Sequence, residues 1–380
     1  MNYQQTNAAE ESDVGKHGSL PQVNLIVTAH AAFLDSALDE LKRLEPHMRS
    51  VEILAPDTAL CYVDNAPRCM HIIAEAQPIF VRHLAPVQAI IHLNNTEADL
   101  EELAVTLAGL PTFLMLERGQ RFAVQTRIVQ EEGTGPRAYS SGKINQLLAA
   151  AIVEETGAIE EIKKPEIVVS LLCTQESAYM GISLARDNLS AWPGGMRHFA
   201  QRPEQISRAE FKLLEALETF GVELPSPGRA LDLGAAPGGW TRLLLEAGLK
   251  VVAVDPAKLD PRLVRRPGLT HFRGSAEQYL ESEKSVKKPQ PFDVITNDMR
   301  MDARDAARLL IEMRGKLRPD GFILSTLKLP HATASIDPLK NLRGAMSLLS
   351  RYFDIVRAKQ LFHNRQEVTV IVARPRVQQM

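Results

Sequence analysis

Apolar and polar positions alternate in short runs over the first half of the chain. Over the second half they settle into a longer rhythm of apolar runs separated by helical stretches. In the first region Val23-Asn24-Leu25-Ile26-Val27, Val51-Glu52-Ile53-Leu54 and Ala59-Leu60-Cys61-Tyr62-Val63 have strand character. Between them Phe33, Leu34, Leu38 and Leu41 recur at helical spacing, and Asp99 to Leu107 reads as a second helix. Strands interleaved with two helices predict a small α+β domain, ferredoxin-like, over residues 21–110. Residues 1–20 are polar, acidic and aperiodic, the pattern of a disordered tail.

A second unit is expected over 111–190. Phe122–Arg127 is a strand, and Ser141 to Glu155 a helix with Ile144, Leu147, Leu148 and Ile152 on one side. Ile167–Leu172 and Ala178–Ser183 are two strands joined by a polar turn. Residues 191–204, with Trp192-Pro193-Gly194-Gly195, have the composition of a linker. The last unit, 205–380, opens on Ser207-Arg208-Ala209-Glu210, which has the form of a capping box, and its first helix stops at Gly221. Strands follow at Ala230–Leu233, Val251–Val254, Thr270–Arg273, Asp293–Asn297 and Phe322–Thr326. A final antiparallel pair is expected at Ile355–Gln360 and Glu367–Ala373. The fold class of this unit is α/β: a Rossmann-like, doubly wound seven-stranded sheet whose last strand runs antiparallel.

Composition adds little until it is divided. The 380 residues are 45% hydrophobic and 24% charged, ordinary for a globular chain. Three cysteines, Cys61, Cys69 and Cys173, are too few for a disulfide framework and lack zinc spacing, so no metal is expected. No apolar run has membrane-spanning length, and the first 20 residues lack a signal-peptide core, so a cytoplasmic protein is expected. The net charge of −2 hides an asymmetry. Residues 197–380 carry 30 Lys+Arg against 21 Asp+Glu, and the remainder 14 against 25. A basic surface attracts nucleic-acid phosphates. Arg197, His198, Arg202 and Arg208, with Arg262, Arg265 and Arg266, are the candidate contacts.

The most specific signal is Asp232-Leu233-Gly234-Ala235-Ala236-Pro237-Gly238-Gly239-Trp240, a strand end, a glycine-rich turn and a helix start. Glycines there let the backbone approach a ligand, and Asp255, ending the next strand, can accept bonds from ribose hydroxyls. The string departs from the G-x-G-x-x-G of dinucleotide sites. It resembles the S-adenosylmethionine (SAM) loop of FtsJ-type RNA ribose 2'-O-methyltransferases. That resemblance implies a cofactor site of Asp232, Gly234, Ala235, Pro237, Gly238, Gly239, Trp240, Asp255 and Asp298. Where the family often has an acidic residue after the third strand, this chain has Gly274-Ser275-Ala276-Glu277, so Ser275 or a backbone group is assigned to the adenine.

The resemblance also implies a catalytic tetrad. Lys212 on the entrance helix, Asp298 after the fourth strand, Lys328 after the fifth and Glu367 opening the last match the family's Lys-Asp-Lys-Glu order. Lys328 is the candidate base. A lysine is protonated at pH 7; Lys212 and desolvation would favour its neutral form, and Asp298 would oppose it. The order Phe122-Ala123-Val124, Lys143-Ile144, Lys164-Pro165-Glu166-Ile167 and Tyr179-Met180-Gly181 resembles a THUMP domain, an RNA-binding module. The whole is similar to the RlmM-like 23S rRNA (cytidine-2'-O)-methyltransferases. The expected partner is therefore RNA, either 23S rRNA or its precursor particle, with tRNA as the alternative substrate. A non-catalytic ribosome-assembly factor is a third reading. His363 reads as a turn histidine or a base contact, and the pattern carries no signal of oligomeric state.

Overall fold

The computed structural model describes residues 23–49, 51–129, 133, 135–287, 289–331 and 337–376; the tail expected over 1–20 lies outside them. The first unit runs β1 (Val23–Thr28), α1 (Leu34–Leu44), β2 (Val51–Ala55), β3 (Thr58–Val63), α2 (Ala66–Ala76) and β4 (His83–Val87). Its sheet has the order β2-β3-β1-β4 with every pair antiparallel, the ferredoxin-like βαββαβ arrangement. Leu34, Ala37, Leu38 and Leu41 of α1 and Ala66, Cys69, Met70 and Ile73 of α2 are buried in one core with Leu25 and Val27 of β1. The sequence reading omits α2 and β4. Asn65 caps α2 by accepting from Arg68 N, and Pro67 stands in the first turn, where its missing N–H costs nothing. β4 is masked by His83 and by Pro86, a residue that weakens any strand pattern.

The second unit comprises β5 (Ala89–His92), α3 (Ala98–Ala108), β6 (Arg121–Ile128), α4 (Ser141–Thr156), β7 (Ile159–Glu160), β8 (Ile167–Cys173) and β9 (Ser177–Leu184). The sheet order is β5-β9-β8-β6-β7. Here the structure reassigns an element. The helix expected at Asp99–Leu107 is α3, but its Leu100, Leu103 and Leu107 pack with Ile144, Leu148 and Ile152 of α4, not with the first core. Periodicity identifies a helix and its apolar face; it does not say which of two neighbouring cores receives that face.

The two sheets are joined without a linker. Only Gln88 separates β4 from β5, and its side chain brackets β9: Nε2 donates to Ile182 O (3.1 Å) and Oε1 accepts from Ile182 N (2.9 Å). At this junction a Cβ on Gly181 would stand 2.1 Å from Pro86 O. Three buried thiols complete the picture: Cys61 and Cys69 in the first core and Cys173 in the second, each pushed up to about 12 by burial.

The third unit contains α5 (Ala209–Phe220), β10 (Gly228–Leu233), α6 (Gly239–Glu246), β11 (Leu249–Val254), β12 (Leu269–Phe272) and α7 (Ala276–Lys284). It continues with β13 (Phe292–Asn297), α8 (Ala303–Met313), β14 (Leu317–Lys328), α9 (Pro338–Leu349), β15 (Phe353–Lys359) and β16 (Glu367–Pro375). The seven-stranded sheet has the order β12-β11-β10-β13-β14-β16-β15, and only β16 runs antiparallel to its neighbours. Leu231, Ile295, Ile323 and Val372 sit in register across four strands and face α8 and α9. Ala230, Val294 and Phe322, one residue earlier, face α5 and α6. Two-residue alternation with both faces apolar is what a sheet covered by helices on each side requires. Among the described residues no helix is long and apolar enough to cross a membrane.

Gly181→Ala should drive β9 away from Pro86 and lower stability by about 1–3 kcal/mol, the usual cost of overpacking. Thermal or urea denaturation checks this. An unchanged midpoint would show that the junction yields freely.

Candidate active site

The carboxyl ends of the parallel strands gather the chemistry at one edge of the sheet. Leu233, Asn297, Ser325 and Val370 lie in one register row, and the next residues outward are Gly234, Asp298, Thr326 and Thr369. Because β16 is antiparallel, its first residue stands at the same edge as the last residue of β14, and Glu367 pairs directly with Lys328. Lys212 reaches the edge from α5. Its Nζ is 2.6 Å from Glu367 Oε1 and 3.4 Å from both oxygens of Asp298. Lys328 Nζ donates to Asp298 Oδ1 at 2.8 Å and to Glu367 Oε2. The four residues therefore form a closed ring of alternating charge. Thr326 Oγ1 supports it with a 2.6 Å bond to Asp298 Oδ1.

The ring decides the protonation that the sequence left open. Burial alone would push the Lys328 amine down, but Asp298 and Glu367 outweigh it, and the group lies above its usual 10.5. Asp298 is held below the usual carboxylate range. Its burial works against this, and the ammonium groups of Lys212 and Lys328 overcome it. Lys328 is thus an ammonium flanked by two anions, the reverse of the neutral amine that Lys212 and desolvation would favour.

The glycine loop stands beside this ring. Gly238 adopts φ +114°, and a Cβ there would strike Leu263 Cδ1 at 2.3 Å. The protein's own packing thus favours glycine at position 238. Asp232 lies beneath the loop, its carboxylate taking the hydroxyls of Thr241 (2.6 Å) and Thr296 (2.8 Å). Burial raises it to about 6 despite those bonds. Its structural task is to tie β10 to α6 and β13. Trp240 is buried in the core between α5 and α6, and its indole donates to Ala209 O at 2.7 Å. Asp255 lies at the end of β11 and accepts from Ala236 N (3.0 Å) and Ala257 N (2.8 Å). Each of its oxygens keeps a lone pair for a hydroxyl donor. Ser275 caps α7 through a bond from Gln278 N, so its hydroxyl serves that helix first.

One expectation is corrected. Ser207-Arg208-Ala209-Glu210 does not form a capping box: Arg208 is the N-cap and makes no side-chain cap bond. Glu210 instead accepts from Ile206 N at 2.8 Å and forms a buried ion pair with Arg242 of α6. The same carboxylate thus serves a backbone N–H and the Arg242 guanidinium, whose buried charge needs a partner. Arg197, Arg262 and Arg266, expected on the RNA approach, are engaged by Glu218, Asp260 and Glu246. Arg197 also lies over the rings of Trp192 (4.1 Å) and Phe199 (3.9 Å). His363 is a turn histidine whose Nδ1 bonds Glu215 Oε2 at 2.7 Å.

A cleft of about 1670 Å³ opens on the ring and is lined by all three units. Arg82 and Arg127 come from the first and second, Arg208, Arg300 and Arg365 from the third. Sequence reasoning singled out only Arg208 of these. Arg82, Arg127, Arg300 and Arg365 are isolated cations in four separate segments, and only the tertiary fold collects them.

Sequence similarity to known families gives the class. Residues 205–366 match the FtsJ-like methyltransferase family and residues 97–183 the THUMP domain; the chain carries both domains. The THUMP match begins at the head of α3, in keeping with the packing of that helix in the second core. The curated relatives are more particular. Ribosomal RNA large subunit methyltransferase M of Laribacter hongkongensis is 33% identical over 192 residues, 48% of this chain and 52% of that protein. The protein of the same name from Sodalis glossinidius is 27% identical over 321 residues, 82% and 84% of the two chains. The match spans about half the length of the first of these relatives. Among solved structures, TrmN from Thermus thermophilus is 18% identical, with 92% of this chain and 99% of that one covered at a TM-score of 0.38.

Glu210→Ala should leave the Arg242 guanidinium without its buried partner and destabilise the third unit by about 3 kcal/mol. A urea titration followed by Trp240 fluorescence would read this. A shift under 1 kcal/mol would mean that Glu246 suffices to hold Arg242.

Proposed function

We propose that the chain transfers a methyl group from SAM to the ribose 2'-hydroxyl of a cytidine in 23S rRNA, with Lys212, Asp298, Lys328 and Glu367 as the catalytic set. The observation that carries this reading is the Lys328 amine, fixed between two carboxylates at the strand edge beside the glycine loop. The name shared by the relatives favours rRNA over tRNA, and the THUMP domain supports RNA as the partner.

The site fits the cofactor. Asp255 offers carboxylate lone pairs to ribose hydroxyls, and Asp298 remains an anion where a sulfonium cation needs one. SAM, when bound, supplies the electrophilic methyl carbon. The protein orients the hydroxyl and removes its proton. Lys328 is the group that takes the proton, and Asp298 and Glu367 aim its Nζ. Lys212 neutralises the same two carboxylates from the other side, which weakens their hold on the Lys328 proton.

The direction of the Lys328 shift has a kinetic consequence. Its amine titrates above 10.5, so the neutral form grows about tenfold per pH unit through the range 7–9. If free-enzyme Lys328 must be neutral, kcat/KM should climb with that slope and show no plateau in this range. A plateau near pH 7 would assign the proton to another group. Lys328→Ala should abolish transfer while leaving SAM affinity within about threefold; strong residual turnover would remove Lys328 as the base.

The function itself is tested by offering labelled SAM and bulk RNA from cells lacking this protein, with rRNA and tRNA separated. Labelled 2'-O-methylcytidine in large-subunit rRNA is the expected result. The same mark in tRNA would replace the substrate, and no mark on free RNA or on precursor particles would overturn the activity.

A further inference from the structure

One of the two acids of the ring, Glu367, is anchored from outside the methyltransferase domain. It follows the turn Gln360–Gln366, and the root of that turn is gripped by the strap Pro78–Arg82 of the first unit. Gln360 N donates to Ile79 O at 2.8 Å, and the part-buried Lys359 Nζ donates to Pro78 O (3.0 Å) and Val81 O (2.7 Å). Glu40 of α1 steadies the strap by accepting from Ile79 N and Phe80 N at 3.0 and 2.8 Å.

Arg82 makes the decisive contacts. Its Nε donates to Gln360 Oε1 at 2.8 Å and its Nη2 to Leu361 O at 2.7 Å. Gln360, thus oriented, turns its amide NH2 to Asn364 O (3.4 Å) and Arg365 O (3.2 Å). Asn364 accepts from Leu361 N (2.9 Å) and Thr369 Oγ1 (3.0 Å), which leaves its own NH2 facing Glu367 Oε1 at 3.4 Å. The Glu367 oxygen that receives this bond is the one bound by Lys212. Arg82, Gln360, Asn364, Thr369 and Glu367 are all buried. Water therefore does not replace a lost partner cheaply. Glu215 of α5 holds the outer half of the same turn, at Phe362 N and His363 N. The inner half depends on Arg82.

We infer that Arg82 is a positioning residue: through Gln360 and Asn364 it sets the Glu367 carboxylate against Lys212 and Lys328, so that the N-terminal unit completes the methyl-transfer site. This rests on the proposed methyltransferase reading. A guanidinium is suited to the task because its donors are fixed in one plane and serve two acceptors in set directions, whereas the donors of an ammonium rotate.

The test uses the full chain and labelled SAM, with large-subunit rRNA as substrate. Arg82→Gln should lower kcat by about 10- to 100-fold, the scale of a sub-ångström to 1 Å misplacement. KM for RNA and SAM affinity should stay within threefold. Arg82→Lys should fall between Arg82→Gln and the unaltered protein. Asn364→Ala cuts the last link and leaves the strap docked, so it should reproduce the kcat loss even if the Arg82 variants do not fold. A kcat within twofold of the unaltered protein for Arg82→Gln or Asn364→Ala, or a loss confined to KM, would overturn the inference. Failure of the unaltered protein to transfer methyl would instead overturn the function. Amide exchange of the segment 361–369 without RNA then decides the positioning by itself: faster exchange in Arg82→Gln sustains it, and unchanged exchange refutes it.

Discussion

The pairing of Lys328 with Glu367 across β14 and β16 is the constraint on which the site depends. Two opposite charges meet at that point because one strand of the sheet runs against the others and so begins where its neighbour ends. Shift the register by one residue and Glu367 turns to the opposite face, since side chains alternate. The apolar rows resist such a slip. Leu231, Ile295, Ile323 and Val372 would exchange faces with Ala230, Val294 and Phe322. Core packing thereby fixes a polar geometry that polar interactions alone would hold poorly, because each partner must be desolvated to reach the other.

That geometry accounts for the ring's protonation. A lone lysine at this depth would lose its proton more readily, as burial demands. Two carboxylates within hydrogen-bond reach reverse the outcome, and Lys212 shares them. The resting site is therefore an ion-pair ring with its charges matched. On the proposed methyl-transfer reading, proton removal by Lys328 requires a change in its surroundings, and the positive charge of the cofactor is one source.

Much of the third unit was legible in the sequence, and for a physical reason. Parallel strands covered on both faces are continuous apolar runs, and the nine residues from Asp232 to Trp240 carry a turn that few other sequences would adopt. Asp298, Lys328 and Glu367 fall at strand ends, where ionisable residues are candidates, while Lys212 lies on α5 and was singled out by the family resemblance. The first unit was less legible. α2 has a proline in its first turn and β4 contains one, so both lose the pattern by which such elements are found. Capping failed as a local rule at Ser207, whose hydroxyl makes no cap bond, while Glu210 takes Ile206 N and Arg242, the latter 32 residues away. The cleft arginines were invisible for the same reason: what makes them a set is distance in space, and the chain separates them.

The buried thiols have a use of their own. With acidity near 12, about one in 10⁵ of each is a thiolate at pH 7, and each sulfur is enclosed. An alkylating reagent can therefore modify them only when the surrounding core opens. Cys61 and Cys69 report on one core and Cys173 on the other, while the methyltransferase sheet carries none. The chain thus contains its own breathing clocks, two for the first core and one for the second. If Gln88 and Gly181 weld the two sheets as tightly as their contacts indicate, the clocks will run at one rate.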